Sequence, residues 1–161
     1  MPLSLCVLFN GQVEEAARFY VSTFEACGRA ASMGRVSRKG GAGPGDPGEA
    51  MSASFTLDGQ GVIALNAGPN APAPSAATSL FVRCESQAEV DAFWMRLCEG
   101  GAPGRCGWLT DRYGLSWQIV PGQLYAMLGD SDPARSGRAM RAMLGMGKLD
   151  LGELTRAYEG A

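Results

Sequence analysis

The side chains of this sequence that could do chemistry are mostly small and uncharged. It contains no histidine, so neither a Ser-His nor a Cys-His dyad can form. Five cysteines, Cys6, Cys27, Cys84, Cys98 and Cys106, are scattered with no Cys-x-x-Cys pair. Without close thiolate pairs or imidazoles, a structural zinc site lacks its donors. Cys106 follows Arg105, whose cation could lower the thiol pKa and make it reactive; a buried, inert cysteine is the commoner case. Asp58 and the pair Asp111-Arg112 fall at turn positions and read as solvated. No two carboxylates are placed together for paired acid/base work. What remains is a set of hydroxyls and amides, Ser54, Thr56, Asn66, Ser116 and Gln118, with the thiol of Cys6 and the indole of Trp108. Such groups hold an organic molecule by hydrogen bonds and apolar contact.

The elements that would position them repeat. Alternating apolar residues Leu3, Leu5, Val7 and Phe9 predict a strand. Val13, Ala16, Ala17, Tyr20 and Phe24 then follow at helical spacing over 12–24. A strand poor in β-formers is expected over 29–36, and a Gly/Pro-rich flexible loop over 38–49. Strands over 51–57 and 61–67 are joined across Asp58-Gly59, a hairpin signal. After a proline-rich connector at 68–76 the order recurs: a strand over 78–82, a helix, a short strand near 103–106 and a final hairpin. Ser86 and Glu89 form a capping box at the start of that helix, whose apolar face is Val90, Phe93, Trp94 and Leu97. The helical motif Glu15-Ala-Ala-Arg-Phe-Tyr20 stands in the first unit where Glu89-Val-Asp-Ala-Phe-Trp94 stands in the second. The fold class is therefore α+β, with two tandem βαβββ modules at 1–67 and 77–121, a linker at 68–76 and a helical extension at 122–161. In that extension Asp132-Pro133 opens one helix, and Asp150 with Glu153 caps another. The tail is expected to buttress the sheet or a dimer partner.

Alternation assigns the candidates to a face. Phe55, Leu57, Ile63, Leu65, Trp117 and Ile119 are expected to face the helices. Ser52, Ser54, Thr56, Ala64, Asn66, Ser116 and Gln118 are expected on the other face. Two arrangements fit: a plain solvent-facing sheet, or the concave wall of a neutral cavity, where hydroxyls and amides avoid the desolvation cost of a charge.

Composition removes several function classes. The chain of 161 residues is 46% hydrophobic with a net charge of −2, and its basic residues are scattered. Nothing favours nucleic acid or an anionic membrane surface. The longest apolar runs are far too short to span a bilayer, and no signal peptide is expected. Odd, scattered cysteines suit a reducing cytoplasm. The stretch Gly43-Pro-Gly45-Asp-Pro-Gly48 matches the glycine spacing of a dinucleotide loop, but it precedes a strand and carries two prolines, so it reads as a chance match.

Three stretches carry a resemblance: Phe9-Asn-Gly-Gln-Val-Glu-Glu-Ala-Ala-Arg-Phe-Tyr20, Leu65-Asn-Ala-Gly-Pro69 and Cys106-Gly-Trp-Leu-Thr-Asp-Arg-Tyr-Gly-Leu-Ser-Trp-Gln-Ile-Val-Pro121. With them, the chain resembles the vicinal oxygen chelate superfamily of glyoxalase I, bleomycin-resistance and dihydroxybiphenyl dioxygenase proteins. It is most similar to the PhnB-like branch, over nearly its whole length except 38–49. That branch is often labelled demethylubiquinone methyltransferase; the sequence lacks the Gly-rich strand-to-helix turn of a doubly wound methyltransferase, so that activity is not expected.

The resemblance implies a curved, cleft-like mixed sheet and ligand positions on the first, fourth, fifth and eighth strands. Carried over, these fall on Ser4 or Cys6, on or near Asn66, on Ala77 or Ser79, and on Gln118. None is histidine or carboxylate, so no tight metal and no other cofactor is expected, and any divalent metal would be held weakly. The expected function is binding of a small organic molecule in a neutral sheet cavity. The alternative is a metal-assisted lyase, isomerase or dioxygenase of the glyoxalase type, using Gln118, Asn66 and Cys6 jointly with substrate. The resemblance also implies a homodimer.

Overall fold

The computed structural model describes residues 3–40 and 46–161. The chain divides into two compact units, 1–74 and 75–161.

The first unit runs β1 (Ser4–Phe9), α1 (Val13–Ala26), β2 (Ala31–Arg38), β3 (Ala50–Leu57) and β4 (Gln60–Asn66). Its sheet has the order β1-β4-β3-β2, with β1 parallel to β4 and the other pairs antiparallel. The parallel pair requires a crossover, and α1 supplies it across one face. The buried stripe of α1 is Val13, Ala16, Ala17, Tyr20, Val21 and Phe24. Gln12 makes no side-chain cap there; Glu14 and Glu15 in the first turn meet the helix dipole instead. Strand β2 is longer than its composition suggests, reaching Arg38, where Lys39 and Glu49 continue the pairing by an N–H···O bond of 2.8 Å. The Gly-rich stretch singled out at 43–48 lies, for 43–45, outside the described residues. At the β3–β4 turn Asp58 and Gly59 both have positive φ, 48° and 79°, the two-residue hairpin geometry that an Asp-Gly pair favours.

The second unit repeats the path: β5 (Ser79–Cys84), α2 (Gln87–Cys98), β6 (Ala102–Pro103), β7 (Trp108–Thr110) and β8 (Ser116–Pro121). Its order, β5-β8-β7-β6, again pairs the first and last strands in parallel, with the other pairs antiparallel. The capping box is present: Ser86 Oγ accepts from Glu89 N–H. The Glu89 carboxylate reaches back to accept from Glu85 N–H at 2.6 Å. Val90, Phe93 and Leu97 of α2 are fully buried with Leu109, Trp117 and Ile119 of the sheet.

The tail folds as α3 (Gln123–Leu128), α4 (Pro133–Gly145) and α5 (Leu151–Glu159). The first of these three helices is not foreseen by the sequence patterns. Asp132 and Asp150 cap α4 and α5 by accepting from Ala134 N–H and Glu153 N–H. The helices share a core of Val120, Leu124, Met127, Ala139, Leu149 and Leu154. The segment before α5 runs along the edge of the final hairpin, where Cys106 and Gly107 N–H donate to Met146 and Gly147 carbonyls, both at 2.8 Å. A Cβ at Gly107 would stand 2.8 Å from the Ile119 carbonyl and 3.0 Å from Leu149, so only glycine lets these chains approach. The tail is thus bonded to the sheet of its own unit.

Candidate functional site

Strand pairing fixes the two faces of each sheet, because directly paired residues point the same way. In the first unit Ala53, Phe55 and Leu57 of β3 are buried toward α1, while Ser52, Ser54 and Thr56 point to the opposite, open face. That agrees with the alternation expected for this strand.

Strand β4 has the reverse phase to the one expected. Ala53 pairs with Ala64 and Phe55 with Val62, so Ala64 and Val62 face the helix, at 0% and 2% exposure. Ile63 and Leu65 pair with Ser54 and Ser52 and stand on the open face. Ile63 and Leu65 are therefore not core residues, and Ala64 is not on the open face. The physical reason is volume. The helix already presents Tyr20 and Phe24, and Tyr20 stacks on Phe55 with centroids 6.0 Å apart. Small residues opposite complete that layer at interior density, whereas Ile and Leu would overfill it.

The same phase carries Asn66 off the open face. It ends β4 beside the buried Phe9 of β1. Its Oδ1 accepts from Gly11 N–H at 3.1 Å and Gly68 N–H at 3.0 Å. Its Nδ2 donates to Glu49 Oε1 at 2.9 Å and to the Ala50 carbonyl at 3.4 Å. An amide has two lone pairs and two N–H donors to offer, and all four are used. Lys39 completes the cluster on the other oxygen of Glu49, at 2.6 Å. The Lys39 ammonium and then the Asn66 amide hold the Glu49 carboxyl below the usual carboxylate range. Asn66 is thus the knot tying the entry to α1, the start of β3 and the exit from β4.

The hydroxyls of the open face are partly engaged within the sheet. Ser54 Oγ accepts from Arg35 N–H at 2.9 Å and donates to the Arg35 carbonyl at 3.3 Å, clipping a bulge in β2 between Met33 and Val36. Thr56 Oγ1 lies 2.8 Å from Ser32 Oγ. Beside these hydroxyls the β1–β4 half of the face carries Cys6, exposed and paired in register with Ile63.

In the second unit the expected phase holds. Trp117 and Ile119 are fully buried toward α2, and Ser116 and Gln118 point to the opposite face, Ser116 buried there and Gln118 half-buried. Gln118 pairs with Phe81 of β5 on one side and Trp108 of β7 on the other. The three side chains form one row across adjacent strands, an amide between a phenyl and an indole. The next row is Ser79, Ser116 and Thr110. Gln118 Nε2 donates to Ser79 Oγ at 2.8 Å, linking the rows. Phe81, 42% exposed, continues outward to Tyr125 of α3, with centroids 5.9 Å apart. Phe81 was not among the candidates read from the sequence, although alternation along Ser79-Leu80-Phe81-Val82 places it there.

Two turn residues take other roles than those expected. Asp111 is 3% exposed, not solvated. Its Oδ1 accepts from Tyr113 and Leu115 N–H at 2.8 and 3.1 Å, and its Oδ2 accepts from Trp117 Nε1 at 2.7 Å. Its neighbour Arg112 turns to the Glu99 carbonyl at 3.0 Å and the Glu99 carboxylate at 3.5 Å. Arg105 donates to the Leu144 carbonyl at 2.9 Å, and Cys106 is half-buried.

Among the described residues, the metal-ligand candidates on the two open faces are hydroxyls, the Gln118 amide and the Cys6 thiol. Among the described residues no group of three or more cysteines and carboxylates is placed to hold a metal ion. This donor set does not fit a tightly held divalent cation, which needs imidazole or carboxylate.

Two modules of identical strand order, each with its helix on one face, define the glyoxalase and bleomycin-resistance architecture. A family profile described as 3-demethylubiquinone-9 3-methyltransferase matches residues 2–120, and the chain belongs to that PhnB-like family, with the fold of the vicinal oxygen chelate proteins. A PhnB protein from Bacillus cereus is 32% identical, with a TM-score of 0.66, covering 75% of this chain and 99% of that one. A Pseudomonas aeruginosa protein at 22% identity has a TM-score of 0.58, covering 73% and 94%. The fosfomycin resistance protein FosX from Mesorhizobium loti shares the fold at 14% identity and a TM-score of 0.55, covering 81% and 98%. No curated protein matches the chain. Both sheets are mixed and four-stranded, so the described residues contain no doubly wound parallel sheet of the kind that binds nucleotide cofactors at a strand-to-helix turn.

Proposed function

We propose that the protein binds a small, uncharged, planar organic molecule against the open face of β5, β8 and β7, without a tightly held metal. The observation that carries this reading is the row Phe81–Gln118–Trp108. It offers two aromatic surfaces flanking one polar group on neighbouring strands about 4.8 Å apart. Few-but-placed polar groups among aromatics are the usual composition of small-molecule sites. Ser116, Ser79 and Thr110 extend the face with further neutral partners, and Ser54, Thr56 and Cys6 give the first unit a similar neutral face. Sharing its fold with a protein described as conferring fosfomycin resistance suits a small organic ligand.

The metal-assisted alternative, a glyoxalase-type lyase, isomerase or dioxygenase, loses one of its three donors, because every hydrogen-bonding position of Asn66 is occupied. It retains Gln118 and Cys6. A thermal-shift screen of planar aromatic compounds, run with and without EDTA, separates the two. Stabilisation by a ligand that is indifferent to EDTA supports the proposal. Stabilisation or turnover that appears only with added Ni, Co, Mn or Fe refutes it in favour of the alternative.

The functional form is further proposed to be a cytoplasmic homodimer. All five cysteines are free thiols, which suits a reducing compartment. Exposed Met51, Ile63, Phe81, Met140 and Leu144 provide apolar surface for assembly. Light scattering at the monomer mass across a wide concentration range would refute the dimer.

A further inference from the structure

Resting on that proposed site, we infer that α3 forms the end wall of the face and that Tyr125 is a ligand-contacting residue, the ring that completes an aromatic corner with Phe81. Gln118 and Val120 stand two residues apart on β8 and point to the same side of the sheet. Val120 is 5% exposed and packs with Leu124 and Met127 of α3. The helix therefore lies on the side of the sheet that carries the row Phe81–Gln118–Trp108. It closes that face about 7 Å beyond the row, the length of two residues along a strand. From there Tyr125 reaches back to Phe81, with centroids 5.9 Å apart and planes inclined at 60°. Leu124 and Met127 are buried, whereas Tyr125 is 57% exposed and Phe81 42%. Packing of the tail does not account for the tyrosine ring, which lies outside the tail core. Two exposed rings at that inclination suit one planar guest. A flat ring stacked on one presents its edge to the other, and aromatic groups favour both arrangements. A saturated ring of similar outline gains only the contact area. The corner therefore selects an aromatic ligand over an aliphatic one, and the tail takes part in that selection.

Two probes test it on the full chain by calorimetry: 2-naphthol and its saturated counterpart, decahydro-2-naphthol. Tyr125→Leu keeps apolar volume beside Phe81 and removes the ring. It should bind 2-naphthol about fivefold more weakly, the value of one aromatic pair, and leave decahydro-2-naphthol within about twofold, so that the preference for the aromatic compound narrows. Tyr125→Phe should keep both affinities, since the ring and not the hydroxyl makes the contact. Both variants should unfold in urea where the unsubstituted protein does, because the side chain is mostly exposed. Unchanged 2-naphthol binding in Tyr125→Leu, or equal weakening of both compounds, overturns the role of Tyr125 while leaving the row on the sheet standing. An unsubstituted chain that binds neither compound overturns the site itself and the inference with it.

Discussion

Replacing Asn66 by alanine separates a binding role from an architectural one. The substitution removes the acceptor for Gly11 N–H and Gly68 N–H and the donor to Glu49 and Ala50. Gly11 N–H is near solvent and can turn to water; Gly68 N–H is partly buried. At about 1 kcal/mol for each backbone donor, the loss is about 2 kcal/mol. The chain segments it joins lie 55 residues apart along the chain for Gly11 and 16–17 for Ala50 and Glu49, so no local structure replaces the knot. Urea unfolding followed by far-UV circular dichroism should show that loss at pH 7. Hydrogen exchange should show faster opening at the start of α1 and at β4. Ligand affinity, measured below the new transition, should be unchanged, because Asn66 stands on the helix side of its sheet. Asn66→Asp sharpens the test. Its carboxylate can accept both glycine N–H groups but meets the Glu49 carboxylate where an amide donated. Asn66→Asp should therefore lose more stability at pH 7 than at pH 4, where one of the two carboxyls takes a proton. A protein of normal stability that has lost ligand binding in Asn66→Ala would refute the reasoning and return Asn66 to the binding face.

Other perturbations have defined outcomes. Asp111→Ala leaves Trp117 Nε1 and two turn N–H groups without their acceptor inside the fold, and should cost about 3 kcal/mol in urea unfolding, with altered tryptophan fluorescence. Leu154→Ala opens a cavity in the core shared by the tail and Val120; a loss of about 3 kcal/mol is expected, and a loss below 1 would mean the tail is not part of that core. Glu14, Glu49, Asp91 and Asp130 are held below their ordinary values chiefly by hydrogen bonds from Arg18, Lys39, Lys148 and Tyr158 respectively. For such groups the unfolded chain takes up protons first. Their stabilisation is full above the ordinary carboxylate values, 4.5 for Glu and 3.8 for Asp, and is lost as pH falls through the lower folded values. Unfolding free energy should be flat from pH 7 to about 5 and fall below that; a curve still flat at pH 3 would show that these pairs contribute nothing.

Much of the fold was legible because each local signal had one reading. Asp58-Gly59 suits a two-residue hairpin, Ser86 with Glu89 a helix start, and Asp132-Pro133 another. The recurrence of strand, helix and hairpin then gave two modules of one topology. The faces of β3 and β8 were legible for the same reason: large apolar residues alternate with hydroxyls or amides, so only one phase buries the apolar set. The short helix Gln123–Leu128 was not legible, since Gly122 offers no side-chain cap and six residues show little periodicity. The bulge in β2 was equally hidden, because it depends on Ser54 of another strand.

The sequence by itself determined the doubled βαβββ plan, the helix caps, the absence of imidazole from any site, and the neutral character of Gln118, Ser116, Ser54 and Thr56. Tertiary structure alone decided which way β4 faces, and with it the role of Asn66. Gly61-Val-Ile-Ala-Leu-Asn66 is apolar in both phases, so alternation gives no preference. Only the space left by Tyr20, Phe24 and Phe55 selects Val62 and Ala64 for the helix side. Asp111 is the same lesson at a turn. An aspartate after a strand reads as solvated until the fold brings Trp117 and two backbone N–H groups around it, and those three donors make burial of the carboxylate tolerable.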